Sequence, residues 1–247
     1  MLNVSLLHVS LIVVTIIFVS TLIIKRFIYF RPSSIMLNPT EPFLDIHEGK
    51  LHAWFLKNPN SDKVFLFCHG NALNLSHRQH AIKKLSSLAS VLIFDYSGYG
   101  LSSGVPNEQL CYSNASTFME YLQRQGYNKN SIILYGESLG GPVAMYTARR
   151  YNLPKVILDS SVSSIKKIMN SRFPFLLPFS FLFPEFNTEI YIKNYNGHVL
   201  CVHPENDEVV PISTMSKIAE MSNFVTIPGT HNNHEIPLEI IKKFIDD

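Results

Sequence analysis

The sequence predicts an α/β fold, with a mostly parallel central sheet and helices on both of its faces. Short apolar segments alternate with segments of helical spacing from residue 51 to the C-terminus, the order expected when strands are joined by crossover helices. No internal repeat or low-complexity tract interrupts the series. With 46% hydrophobic residues in 247, the chain can bury one sizeable core.

Strands are expected at 51–56 and 64–68, then an amphipathic helix at 75–89. The pattern repeats with a strand at 91–94, a helix at 107–124, a strand at 132–135, a helix at 139–150 and a strand at 156–158. Strands at 198–202 and 224–227 and a closing helix near 234–245 complete the series. Residues 160–197 do not fit the alternation. They contain FPFLLPFSFLFPEF, whose prolines break regular helix, so an irregular insertion is expected that packs on the domain, covers an apolar pocket as a lid, or touches a membrane.

Residues 1–24 contain no Asp, Glu, Lys or Arg, and an apolar run over 4–24 ends at Lys25 and Arg26. That length matches the roughly 20 residues needed to cross a bilayer as a helix, so residues 1–30 are expected to be a membrane anchor and 31–247 the main domain. The positive charges after the span place that domain on the cytosolic side by the positive-inside rule. Two N-x-S triplets, at Asn74 and Asn114, would carry glycans only in a secretory lumen, and the side stays open. Lys plus Arg number 21 against 19 acids, a net charge of +2 that gives no reason to expect a nucleic-acid partner. Cys68, Cys111 and Cys201 lack metal-binding spacing and read as buried free thiols.

The chemistry centres on ILYGESLGGPVAMYTARRY, where an apolar strand stops at Gly136-Glu137-Ser138-Leu139-Gly140 and a helix begins. The G-x-S-x-G pattern permits a sharp strand-to-helix turn, because the residues two positions either side of the serine must carry almost no side chain. Ser138 would then stand at the carboxyl edge of the sheet, where open parallel sheets bind ligands, beside the free N–H groups of a helix N-terminus. In FLFCHGNALNLSHR a strand runs into His69-Gly70-Asn71, a loop that can turn the Asn71 N–H toward a carbonyl oxygen alongside that of Leu139, as an oxyanion hole. His69 reads as a loop brace. In VHPENDEVVP, Asp207 follows a strand and is placed to orient an imidazole, with Asp159 as the second choice and Glu205 and Glu208 as ordinary loop acids. In VTIPGTHNNHEIP, His231 follows a strand and a glycine, whereas His234 reads as the entrance to the last helix.

Together these segments, with FDYSGYGLSSG at 94–104, resemble the α/β-hydrolase family, and within it the membrane-anchored groups of α/β-hydrolase-domain-containing proteins numbered 13 and 17. The likeness runs from about Phe43 onward. It implies Ser138 as nucleophile, Asp207 as acid and His231 as base, with the N–H groups of Asn71 and Leu139 facing the oxyanion. Leu73 stands where the family often has glycine, and Asn233 where an acid commonly follows the histidine. Asp95 is expected to hold its own loop. The activity expected is hydrolysis of an acyl ester or thioester, on a lipid or an acylated protein, through an acyl-serine and with no metal or organic cofactor. Protein depalmitoylation, which group 17 suggests, meets one obstacle: that group carries a cysteine-rich N-terminus, and here no cysteine precedes Cys68. Two other readings are a catalytically inactive hydrolase-fold binding module on a membrane and a serine peptidase.

Overall fold

The structure is a computed structural model that describes residues 2–23, 29–172 and 174–247, with the backbone alone described at 2–7, 20–23, 176, 177, 179 and 182. In chain order the first elements are helix α1 (Leu2–Ile23), strands β1 (Arg31–Pro32), β2 (Leu44–Glu48), β3 (Leu51–Leu56), β4 (Val64–Cys68) and β5 (Ala72–Leu73), and helix α2 (Gln79–Ser86). The alternation continues with β6 (Ser90–Phe94), α3 (Glu108–Arg124), β7 (Ile132–Glu137), α4 (Gly140–Tyr151) and β8 (Lys155–Asp159). After two short helices, α5 (Ile165–Arg172) and α6 (Thr188–Ile192), come β9 (His198–Pro204), α7 (Ser216–Ala219), β10 (Asn223–Ile227) and α8 (Leu238–Asp246).

Eight strands form one sheet in the order β10, β9, β8, β7, β4, β6, β3, β2. Strands from β10 to β6 pair in parallel, whereas β2 and β3 close one edge antiparallel. The period of a strand divides the core between the two faces. Leu66, Leu92, Leu134 and Val156 face a cluster with α3 and α4 residues such as Phe118 and Val143, while Phe65, Phe67, Ile93 and Ile133 face a second with Leu85 of α2 and Phe244 of α8. Burial on both faces is why these strands read as unbroken apolar runs.

Several expectations need correction. The 75–89 helix begins as a 3-10 turn over Leu75–Arg78 and becomes α-helical only at Gln79. The closing helix starts after Pro237, at Leu238, so His234 lies in a loop and is not its entrance. The 160–197 insertion is more regular than its prolines suggest: α5, a 3-10 segment over Pro174–Leu182 that accommodates Pro178, and α6. The edge strand β2 had no counterpart in the sequence reading, because its residues are largely exposed and polar.

The residues expected to cross a membrane fall in α1, and the side chains described there, at residues 8–19, are exposed. Among the described residues no helix is long and apolar enough to cross a membrane, and the structure does not support the expected spanning helix. Lys25 and Arg26, the expected boundary, lie outside the described residues. The two N-x-S triplets also change meaning. Asn74 is buried and donates to the carbonyls of Ser33 and Ile35, and the Asn114 Oδ1 accepts the Ser97 N–H, so neither amide is presented to solvent in the folded chain.

Candidate active site

Register brings the parts of the site together. Cys68 at the end of β4 is level with Gly136 in β7, and Glu137 is level with Asp159 in β8. Ile227 at the end of β10 is level with Pro204 in β9. The loops leaving these strands therefore share one edge of the sheet. The order also reverses at β4, which has β6 on one side and β7 on the other. That switch point is the crevice where ligands of open α/β sheets bind.

Ser138 sits between β7 and α4 with φ of +51°, a left-handed conformation that a side-chain-bearing residue adopts at a cost of about 1 kcal/mol or more. The turn is fixed by its backbone: the Ser138 N–H donates to Asp159 O at 2.8 Å, and the Ser138 carbonyl accepts the N–H groups of Gly141 and Val162. Gly140 is required by contact, since a Cβ there would lie 1.9 Å from the Cys68 carbonyl oxygen.

The Ser138 hydroxyl lies 3.0 Å from His231 Nε2, and His231 Nδ1 lies 2.8 Å from Asp207 Oδ2. Burial raises the Asp207 carboxyl, but its hydrogen bond with His231 and the N–H groups of Val209 and Val210 outweigh this and hold it below the ordinary carboxylate value. An ionised carboxylate only accepts, so Nδ1 carries the proton, and the Nε2 lone pair is left to accept from the Ser138 hydroxyl. Glu208, expected to be an ordinary loop acid, accepts the backbone N–H of His231 at 3.0 Å and helps to hold that loop.

Asp159, the second-choice acid, does not reach His231. It pairs with His234, whose Nε2 lies 2.7 Å from Asp159 Oδ1, while the hydroxyls of Tyr135 and Ser160 also donate to the carboxylate. Burial raises Asp159 and lowers His234, but their mutual attraction dominates, so Asp159 sits below its ordinary value and His234 is raised to about 9. His234 Nδ1 also donates to Thr230 O, which ties the His231 loop to the end of β8.

Asn71 and Leu139 both border the cavity that holds Ser138 and His231. Tyr99 donates its hydroxyl to Asn71 O at 2.8 Å, and Asn71 Nδ2 donates to Tyr29 O, so the loop is held from both sides. His69 braces it as expected: buried, it donates from Nδ1 to Gly70 O at 2.8 Å. Asp95 does more than hold its own loop, because its Oδ1 also accepts the Leu75 N–H. A pair not foreseen from sequence links the Asn71 and Ser138 segments, with Arg78 Nε and Nη2 donating to the two carboxylate oxygens of Glu137 at 3.1 and 2.9 Å. It fits because Gly70 has no side chain: a Cβ there would be 2.8 Å from Glu137 Oε1.

The cavity encloses about 560 Å³, within the range of small-molecule sites. Leu139, Val162, Ile165, Ile168 and Phe183 form an apolar wall, four of them from the 160–197 insertion. The insertion thus both packs on the domain and lines the pocket, while Phe175 and Phe181 remain exposed. All three cysteines are buried free thiols, and burial pushes each up from its ordinary value.

A family model described as the alpha/beta hydrolase fold matches residues 63–199. The chain is 33% identical over 210 residues to human alpha/beta hydrolase domain-containing protein 17C, covering 80% of this chain and 63% of that one. It is 32% identical over 205 residues to a Saccharomyces cerevisiae protein described as an uncharacterized membrane protein, covering 76% of this chain and 68% of the other. An esterase of Pyrococcus furiosus shares the fold with a TM-score of 0.71 at 18% identity, covering 88% of this chain and 97% of the esterase. The turn at Ser138, the strand order and these matches lead to one conclusion, that the chain belongs to the α/β hydrolase fold family.

Proposed function

We propose that the protein is a serine hydrolase that cleaves an acyl ester or thioester through Ser138, His231 and Asp207. The observation that carries this reading is the continuous relay from the Ser138 hydroxyl to His231 Nε2 at 3.0 Å and from His231 Nδ1 to Asp207 at 2.8 Å, at a cavity with one apolar wall and charged side chains such as Arg31, Arg172 and Glu208 elsewhere in its lining. His231 accepts the hydroxyl proton at Nε2 as Ser138 Oγ attacks the carbonyl carbon, and Asp207 holds the tautomer and stabilises the imidazolium. The N–H groups of Asn71 and Leu139 take the oxyanion, the second of them reinforced by the N-terminus of α4. The imidazolium then gives its proton to the departing alkoxide or thiolate, and the acyl group stays on Ser138. Water repeats the attack, passes its proton to His231 and releases the carboxylic acid.

The apolar wall favours an acyl chain as the group held beside Ser138. Delivery of that chain from a membrane fits the exposed Phe175 and Phe181 on the insertion and the exposed apolar side chains of α1, such as Leu11, Ile12 and Phe18. The description of the yeast relative as a membrane protein points the same way.

The test is covalent labelling of the full chain by a fluorophosphonate probe, beside Ser138→Ala and His231→Ala. Labelling of the wild type that both substitutions abolish is the expected result, followed by turnover of acyl esters graded by chain length. A folded wild type that the probe does not label would replace this reading with that of a binding module.

A further inference from the structure

The antiparallel pairing of β2 and β3 sets His47 directly opposite His52. Asp45 lies two residues before His47, on the same face of β2 by the period of a strand. Their side chains converge. Asp45 Oδ1 is 2.6 Å from His52 Nε2, Asp45 Oδ2 is 3.3 Å from His47 Nε2, and one donor atom from each residue falls within 4.8 Å of the other two. His52 is fully buried, and its Nδ1 lies 3.4 Å from the buried Asp95 Oδ2. A carboxylate behind the far ring nitrogen is the arrangement that orients a metal-ligating histidine and fixes which nitrogen faces the ion.

We propose that Asp45, His47 and His52 form a binding site for a divalent transition-metal ion of zinc type, outside the candidate active site. The donor set decides the class of ion. Two imidazoles and one carboxylate suit Zn²⁺ and its neighbours, whereas Mg²⁺ and Ca²⁺ require oxygen ligands. With bonds of about 2.0–2.2 Å, donor atoms in a tetrahedral site stand about 3.3–3.5 Å apart, so shifts of about 1 Å are needed. Asp45 and His47 are free to make them, being 58% and 56% exposed, while His52 stays as the fixed anchor. Solvent completes the fourth position. The ion would pin the exposed edge strand β2 to β3 next to Asp95, whose other oxygen holds the Leu75 N–H below the Asn71 loop.

The test is calorimetric titration of Zn²⁺ alone into the chelator-treated full chain, beside Asp45→Asn, His47→Ala and His231→Gln. The last variant removes the candidate catalytic imidazole as a competing ligand. One equivalent is expected to bind wild type and His231→Gln alike. Binding should weaken at least about tenfold in Asp45→Asn and in His47→Ala, as for loss of a residue that a metal site depends on. Because both substituted side chains are largely exposed, folding is not at stake, and circular dichroism checks it. Absence of binding at about 100 µM Zn²⁺, where even a weak specific site is half filled or more, overturns the proposal. So does binding that survives both β2 substitutions.

Discussion

Replacing His234 by Gln removes the cation that pairs with Asp159 while keeping a neutral side chain able to donate to it. His234 is raised from 6.5 to about 9, chiefly because the hydrogen bond and charge of Asp159 overcome the burial that would lower it. At about 1.36 kcal/mol per pK unit, that shift bounds the contribution to folding at about 3 kcal/mol. His234 and Asp159 are 11% and 12% exposed, and withdrawing both from water offsets part of their attraction, so the net is about 1–2 kcal/mol. The sign follows from the raised value: the contribution is complete below about pH 6.5 and is lost as the pH rises through about 9. Asp159 is lowered from 3.8, so at the acid end the contribution is lost as the pH falls below 3.8 through its folded value. Urea denaturation of wild type and His234→Gln at pH 6, 8 and 10 is expected to give a stability gap that narrows steadily and nearly closes at the highest pH. A gap of constant size would refute the ion pair as its source and leave only packing.

Removing the guanidinium in Arg78→Ala leaves Glu137 unpaired beside Ser138 and frees the Asn71 loop from the turn after β7. Steady-state kinetics on an acyl ester should show kcat lowered by about 10–100-fold with KM little changed; Arg78→Lys should recover part of this, since an ammonium cannot make the bidentate pair. Equal kcat in Arg78→Ala and wild type would remove the pair from the machinery. Leu73 adopts φ of +71° while 43% exposed. Leu73→Gly is expected to relieve about 1–2 kcal/mol of backbone strain against roughly 0.5–1 kcal/mol of added unfolded-state entropy. A small rise in denaturation midpoint should follow, and a fall would show that the Leu73 side chain contributes packing that outweighs the strain.

Much of the fold was legible because the buried parallel strands are apolar on both faces and cannot be mistaken for surface. Strand β4, VFLFC, is buried at every position. Where chemistry is less uniform the reading failed: β2 is polar and exposed, and the first turn of the 75–89 helix is distorted by Asn74, whose side chain accepts the Ser76 N–H. The Leu73 departure from the family glycine was visible as a letter. Its consequence, a non-glycine residue in the left-handed region, required the backbone.

The local turn at Ser138 is written in five consecutive residues, because only glycine at Gly140 allows the close approach to Cys68 and only glycine at Gly136 allows that to the start of α4. Asp207, His231 and Ser138 were singled out by chain order and loop position, and the short distances between their side chains come from strand register. Partners far apart in sequence leave no spacing to read. Arg78 and Glu137 are 59 residues apart, and Asp159 and His234 are 75 apart. Nothing local marks these charges as paired, since an exposed loop acid and a buried one are the same letter. Only the packing of the sheet edge decides which carboxylate loses water and must find a cation there. The sequence alone determined the buried strands and the turn that carries the serine, because those depend on neighbouring residues; tertiary structure alone decided the partners of each charge, because those depend on which strands lie side by side.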